Sequence, residues 1–92
     1  MVKKTDVVVE NFSVGVTERL KIDWSSLQKI NPKLIYCSIT GYGATGPDAK
    51  RRAYDLTTQA MSGLMSVTGQ PGSPPTKAGT PMGDTISAGF AF

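Results

Sequence analysis

Lys33-Leu34-Ile35-Tyr36-Cys37-Ser38-Ile39-Thr40 is the stretch on which the fold turns. Leu34 to Ile39 is apolar, and β-branched or aromatic at most positions, which is the composition of a strand. Upstream, Val7-Val8-Val9 is a continuous β-branched run, suited to a parallel strand buried on both faces. Between the two lie roughly twenty residues of helical pattern. Val16 to Leu20 makes a short helical turn, and Asp23 caps a second helix through Trp24, Leu27 and Ile30. Asn31-Pro32 stops that helix, because the residue before a proline is pushed out of the helical region. Strand, helical segment, strand is a βαβ crossover, expected to be right-handed and parallel.

Working outward, Met1-Val2-Lys3-Lys4 reads as the end of a helix running straight into the first strand. After the second strand, Gly41-Tyr42-Gly43-Ala44-Thr45-Gly46-Pro47 is a glycine-rich loop at a strand's C-terminal end, the edge where open α/β sheets place ligands. Its spacing matches G-x-G-x-x-G, but Pro47 and Asp48 stand where a helix should begin smoothly, so a dinucleotide cradle is set aside. The loop reads instead as a backbone that folds back tightly and stays open to a ligand. Tyr54-Asp55 opens the next helix, with Asp55 as cap, Leu56, Ala60, Leu64 and Met65 at helical spacing, and Met61 and Met65 as core. Gly63 inside that helix costs about 1 kcal/mol against alanine, which calls for close packing or a nearby ligand. Thr68 to Pro81 is a long ordered turn or lid. The last helix starts at Asp84 and runs to Phe92 without a stop signal, so both ends read as cut.

Ninety-two residues make one small domain at most, or a piece of a larger one. There is no histidine, which removes the usual general base, the Ser/His and Cys/His devices, and most zinc sites; no metal site is expected. Cys37 stands alone in an apolar run and reads as a small buried hydrophobe rather than a redox group. The net charge is +3, with basic residues scattered apart from Lys3-Lys4 and Lys50-Arg51-Arg52. Such a triplet is either a solvated loop or a contact to phosphate on a small anionic ligand. Nucleic acid is not an expected partner, since no basic stripe with interleaved aromatics occurs. No apolar run approaches the ~18 residues of a membrane span, and no secretory signal precedes the first strand. The expectation is a cytoplasmic protein with no membrane partner.

Pro81-Met82-Gly83-Asp84-Thr85-Ile86-Ser87-Ala88-Gly89 carries the candidate chemistry. Asp84 reads as a helix N-cap, accepting hydrogen bonds from the N–H groups of the next turn, and those groups with the helix dipole favour its ionised form. An anionic carboxylate at a helix mouth, reached over a glycine that admits a substrate, can act as a nucleophile. It can equally be only a cap.

Taken together, Asp6-Val7-Val8-Val9-Glu10-Asn11-Phe12, Asn31-Pro32-Lys33-Leu34-Ile35-Tyr36, Gly41-Tyr42-Gly43 with Gly46-Pro47, Tyr54-Asp55, Gln59-Ala60 with Ser62-Gly63, Thr68-Gly69 and Gly83-Asp84 resemble the class III CoA-transferases. Each motif is weak alone, but the ordered set covers essentially the whole chain. The resemblance implies an α/β fold, a fragment of a Rossmann-like open parallel sheet with crossover helices. Residues 1–92 then form part of the family's large domain, truncated at both ends.

It further implies acyl transfer. Asp84 falls on the catalytic nucleophile, and Asp55 on a second active-site carboxylate that orients substrate or tunes Asp84 by like-charge repulsion. Asn11, Phe12, Arg19, Leu20, Arg52 and Tyr54 fall at positions of contact with CoA. The substrates implied are coenzyme A as an acyl-CoA thioester and a small carboxylic acid, with no tightly bound cofactor, in an interlocked homodimer. Racemases on the same scaffold place a His before the second carboxylate; Tyr54 stands there, which favours transfer. Val14 replaces the proline usual in the family's Asn-Phe-x-Pro-Gly turn. The alternatives are a racemase-like acyl-CoA enzyme and a non-catalytic CoA-binding scaffold. An isolated segment, lacking the family's early strand and glycine-rich lid, is expected to show little turnover.

Overall fold

A computed structural model describes residues 1–91 of the chain. It divides into two compact units, Met1–Arg51 and a second that begins at Arg52. Among the described residues no helix is long and apolar enough to cross a membrane.

In the first unit a 3₁₀ turn at Val2–Lys4 leads into β1, Val7–Glu10. β2, Ile35–Ser38, pairs with it in parallel, Val7 opposite Ile35 and Glu10 opposite Ser38. The ladder gains one bond at each end, from Ile35 N–H to the Asp6 carbonyl and from Ile39 N–H to the Glu10 carbonyl, both 2.9 Å. The parallel pairing read from the two apolar runs is therefore present. β2 is shorter than Lys33 to Thr40 because β1 offers it only four residues.

The connection holds α1, Val16–Leu20, and α2, Trp24–Leu27. Asp23 caps α2 as expected: its carboxylate accepts from Ser26 N–H at 3.1 Å, Ser26 hydroxyl at 2.6 Å and the Ser25 hydroxyl. Those bonds, Ser25 first and Ser26 next, outweigh the opposing effect of burial and hold the Asp23 carboxyl at about 2. α2 does not reach Ile30. The N–H groups of Ile30 and Asn31 both take the Leu27 carbonyl at 3.0 Å, closing the helix early and leaving Ile30 exposed. Asn31 does more than stop a helix. Its Nδ2 donates to the carbonyls of Val2 (3.2 Å) and Thr5 (2.9 Å), tying the start of β1 to the approach to β2.

The strands are not buried on both faces. Leu27 and Leu34 are the buried hydrophobic residues of this unit. Trp24 of α2 meets Tyr36 of β2 with ring centroids 6.3 Å apart, covering the face that Tyr36 shares with its partner Val8. On the opposite face, Val7 (48 % exposed), Val9 (54 %) and Ile35 (63 %) stand open. Cys37, on that face, is half-buried rather than a core hydrophobe.

In the second unit α3 spans Asp55–Met61, a 3₁₀ turn follows at Leu64–Val67, and α4 spans Met82–Phe90. Gly63 lies outside α3, in the left-handed region at φ 81. A Cβ there meets nothing closer than Ser66 Oγ at 3.9 Å. Backbone conformation, not packing, therefore requires the glycine, which ends the helix. Met61 is 63 % exposed, against its expected place in the core, because two positions along α3 turn it about 200° away from the buried Gln59. The 68–81 loop is folded onto its neighbours: Thr76 N–H bonds the Met65 carbonyl at 3.0 Å and Thr68 Oγ1 the Leu64 carbonyl at 2.7 Å. α4 begins at Met82, not Asp84, since Thr85 N–H takes the Pro81 carbonyl at 2.9 Å. The expected end of this helix, Phe92, lies outside the described residues.

The turn after β1 explains the Val14 departure. Val16 N–H bonds the Ser13 carbonyl at 3.0 Å, and Gly15 at φ 88, ψ −9 occupies the third position of a type II turn. Val14 therefore sits at the second position, which proline favours. Val14→Pro is expected to raise the stability of the first unit by about 0.4–1 kcal/mol, through lost freedom of the unfolded chain. A shift of the urea midpoint at unchanged slope is the check.

Candidate functional site

In the second unit the Gln59 side chain joins Asp55, Ala78 and Thr80. This side chain is 1 % exposed, and a buried amide must have its donors and acceptor matched. Gln59 Oε1 accepts from Ala78 N–H at 2.9 Å, while Nε2 donates to Asp55 Oδ2 at 2.8 Å and the Thr80 carbonyl at 3.3 Å. Those partners fix the orientation of the amide, because turning it over would set Nε2 against the Ala78 donor.

Asp55 is the first residue of α3, and Tyr54 holds the N-cap position expected of it. Thr57 Oγ1 accepts from Tyr54 N–H at 2.9 Å and closes the helix start. The Asp55 carboxylate turns instead toward α4. Its Oδ1 accepts the Gly83 N–H at 2.8 Å, and its Oδ2, besides Gln59, faces Lys77 Nζ at 3.5 Å. Partial burial alone raises this carboxyl, but the bonds from Gln59 and Gly83 and the Lys77 ammonium prevail and hold it below the usual carboxylate range.

Asp84 is the third residue of α4 and is exposed. The capping work assigned to it from the sequence is done across the gap between helices by Asp55. An anionic carboxylate at this end suits the positive pole of the helix dipole. Gly83 has a defined reason to be glycine: a Cβ there would stand 3.2 Å from the Thr58 side chain and 3.3 Å from Asp55 Oδ1. The close approach it permits in the structure is that of α3. Two backbone donors at the start of α4 are engaged, Gly83 N–H by Asp55 and Met82 N–H by the Thr80 carbonyl at 2.9 Å.

In the first unit, a cleft of about 460 Å³ opens where the strands end. Phe12 and the Ser13–Gly15 turn line it, with Trp24 and Tyr36 beneath. Glu10, Glu18 and Asp23 also line it, and no Lys or Arg does. Glu10 is buried at the end of β1, and its Oε2 accepts the Phe12 N–H at 2.8 Å, fixing the turn. Burial, and then the nearby Glu10 carboxylate, raise the Tyr36 phenol above its ordinary value.

Of the residues the resemblance assigns to CoA, Phe12 lines this cleft, while Asn11, Arg19 and Leu20 are exposed and outside its lining. Arg52 and Tyr54 are exposed at the start of the second unit. Within the basic triplet, Arg51 is bound locally, pairing with Asp48 at 3.2 Å and lying 5.1 Å from the Tyr42 ring centroid. Sequence reasoning missed Gln59 and Lys77 as parts of the site. Gln59 stood in the sequence as part of the Gln59-Ala60 motif and as a polar residue one helical turn after Asp55, with no role attached, and nothing local marked Lys77.

The model of CoA-transferase family III matches residues 1–92. The acetyl-CoA:oxalate CoA-transferase of Acetobacter aceti is 50 % identical over 93 residues, covering 100 % of this chain and 24 % of its own length. The succinyl-CoA:glutarate CoA-transferase of Homo sapiens is 40 % identical, covering 95 % of this chain and 20 % of its own length. Among solved structures, a CAIB/BAIF family protein from Brucella suis superposes with a TM-score of 0.87 at 45 % identity, covering 98 % of this chain and 25 % of its own. The chain thus spans a quarter or less of each of these proteins.

Two outcomes follow from the α3–α4 contact. Gly83→Ala is expected to destabilise the second unit by about 1–3 kcal/mol, the range for overpacking, read from the denaturation midpoint of α3 and α4 amide signals. Asp55, lowered in the folded state, contributes stability that is present above the unfolded carboxylate value of about 4. That stability is lost as pH falls through the lower folded value. The stability difference between wild type and Asp55→Asn is therefore expected to shrink on acidification from about pH 5 to pH 3; a constant difference would refute the assignment.

Proposed function

The chain belongs to CoA-transferase family III, and on that premise we propose that it carries the nucleophile of an enzyme moving CoA from an acyl-CoA donor to a carboxylate acceptor. The observation that carries the reading is the placement of Asp84. It is an exposed carboxylate in the first turn of α4, on a backbone held by the Asp55–Gly83 bond.

Asp84 attacks the thioester carbonyl, the tetrahedral adduct expels CoA thiolate, and an aspartyl–acyl anhydride remains. The thiolate attacks the aspartyl carbonyl, releasing the donor acid and leaving an aspartyl-CoA thioester. The acceptor carboxylate attacks that thioester, expelling thiolate and forming a second anhydride. Thiolate attack on the acceptor's acyl carbon frees Asp84 and the new acyl-CoA. No step needs a general base, which suits a chain without histidine. With Asp55 held ionised and turned to Gly83, its part is to fix α4 rather than to transfer a proton.

CoA carries its charge on phosphates and is neutral along the pantetheine arm. The first unit's cleft has carboxylates in its lining and suits a neutral portion of the ligand, with phosphate directed, within that unit, to the exposed Arg19. The β1–β2 pair is read as part of the family's Rossmann-like open sheet, in a cytoplasmic homodimer. The open Val7, Val9 and Ile35 face supports further covering structure there.

Incubation with a reactive acyl-CoA is expected to add a hydroxylamine-sensitive mass that maps to Asp84. Asp84→Ala should abolish the adduct and leave CoA binding largely intact. Binding without any adduct in the wild type, under conditions where a full-length family member labels, would leave only the scaffold reading.

A further inference from the structure

We propose that Gln59 is the positioning residue for the nucleophile, acting through Asp55 and Gly83; this rests on the reading of Asp84 as nucleophile. A carboxylate at Asp55 has two oxygens and free rotation about its side-chain bonds. Only with Oδ2 held can Oδ1 point steadily at Gly83 N–H. Gln59 Nε2 supplies that hold at 2.8 Å from inside the unit, where its residue is 1 % exposed. The Lys77 ammonium, 3.5 Å from the same oxygen and on a side chain 39 % exposed, is a weaker and salt-screened contact.

The same amide fastens the segment that leads into α4. Ala78 N–H and the Thr80 carbonyl both end on Gln59, and Met82 N–H returns to Thr80. Asp84 thus sits on a backbone reached from Gln59 by two routes, one through Asp55 to Gly83 and one through Thr80 to Met82. Gln59 itself is too buried to touch a substrate. Its effect falls on where the Asp84 carboxylate stands when a thioester arrives, and misplacement of a reacting atom by about 1 Å costs on the order of a hundredfold in rate.

Two substitutions separate this role from simple core filling. Gln59→Leu keeps the volume and removes every bond. Gln59→Glu keeps the acceptor for Ala78 and, when protonated, the donor to Asp55; once ionised it opposes Asp55. The expected result for Gln59→Leu is a folded chain by circular dichroism, with the Gly83 amide exchanging about tenfold faster or more, the size of one lost charge-assisted bond. The maximal rate of adduct formation at Asp84 should fall while the half-saturating acyl-CoA concentration holds. Gln59→Glu, whose single O–H can serve Asp55 but not Thr80 as well, is expected to retain most Gly83 protection and labelling in acid and lose both as pH rises, a profile that wild type lacks.

Unchanged Gly83 exchange in Gln59→Leu, or a pH-independent Gln59→Glu, overturns the proposal. If Gln59→Leu does not fold, the Gln59→Glu pH profile decides alone. If wild type itself never labels, the function reading fails, while Gly83 exchange still tests whether Gln59 positions α4.

Discussion

One buried amide and one carboxylate hold the second unit together. Gln59 has no apolar contribution to make, yet it is the side chain most completely removed from solvent. A polar group in that position is costly unless every donor and acceptor is matched. The match is what joins α3, the 78–80 segment and α4 into one arrangement. Asp55 extends the chain of bonds to Gly83, and Gly83 in turn is small because Thr58 and Asp55 lie where a side chain would be. Remove any one of these features and the others lose their reason.

The first unit solves a different problem. Two short parallel strands have few ladder bonds, and their ends need fastening. Asn31 does this at the start of β1 through two carbonyls, and Glu10 at its end through the Phe12 N–H. The turn that follows is then presented at the strands' C-terminal edge, beside the cleft. Polar side chains therefore set the geometry in both units, while the apolar face of the sheet bearing Val7, Val9 and Ile35 stays open.

On the proposed reading of Asp84, these arrangements bear on catalysis through charge. A carboxylate nucleophile needs a fixed position and a neighbour that does not take its place. Asp55 is bound on both oxygens, by Gly83, Gln59 and Lys77, whereas Asp84 is exposed in the turn that Asp55 secures. The two carboxylates thus have distinct surroundings, as the separate roles proposed for them require.

The sequence by itself determined the parallel α/β character, since β-branched runs separated by a capped helical stretch admit little else. It also determined the Asp23 cap, the α1 turn and the order of the family motifs. All of these depend on neighbours within a few residues or on the run of the whole chain. What it placed wrongly, or not at all, depends on contacts between distant residues. Asp84 and Asp55 carry the local marks of helix caps, yet Pro81 and Tyr54 hold those positions. Gly63 looked like a packing glycine and is a conformational one, while Gly83 looked like an opening for substrate and is a seat for α3. Gln59 reaches 19 residues along the chain to Ala78 and 21 to Thr80, and Asp55 reaches 28 to Gly83. Partners so far apart leave no periodicity to read; only the folded backbone brings their hydrogen-bonding groups within reach, and that alone decided which carboxylate holds the helix and which one faces the solvent.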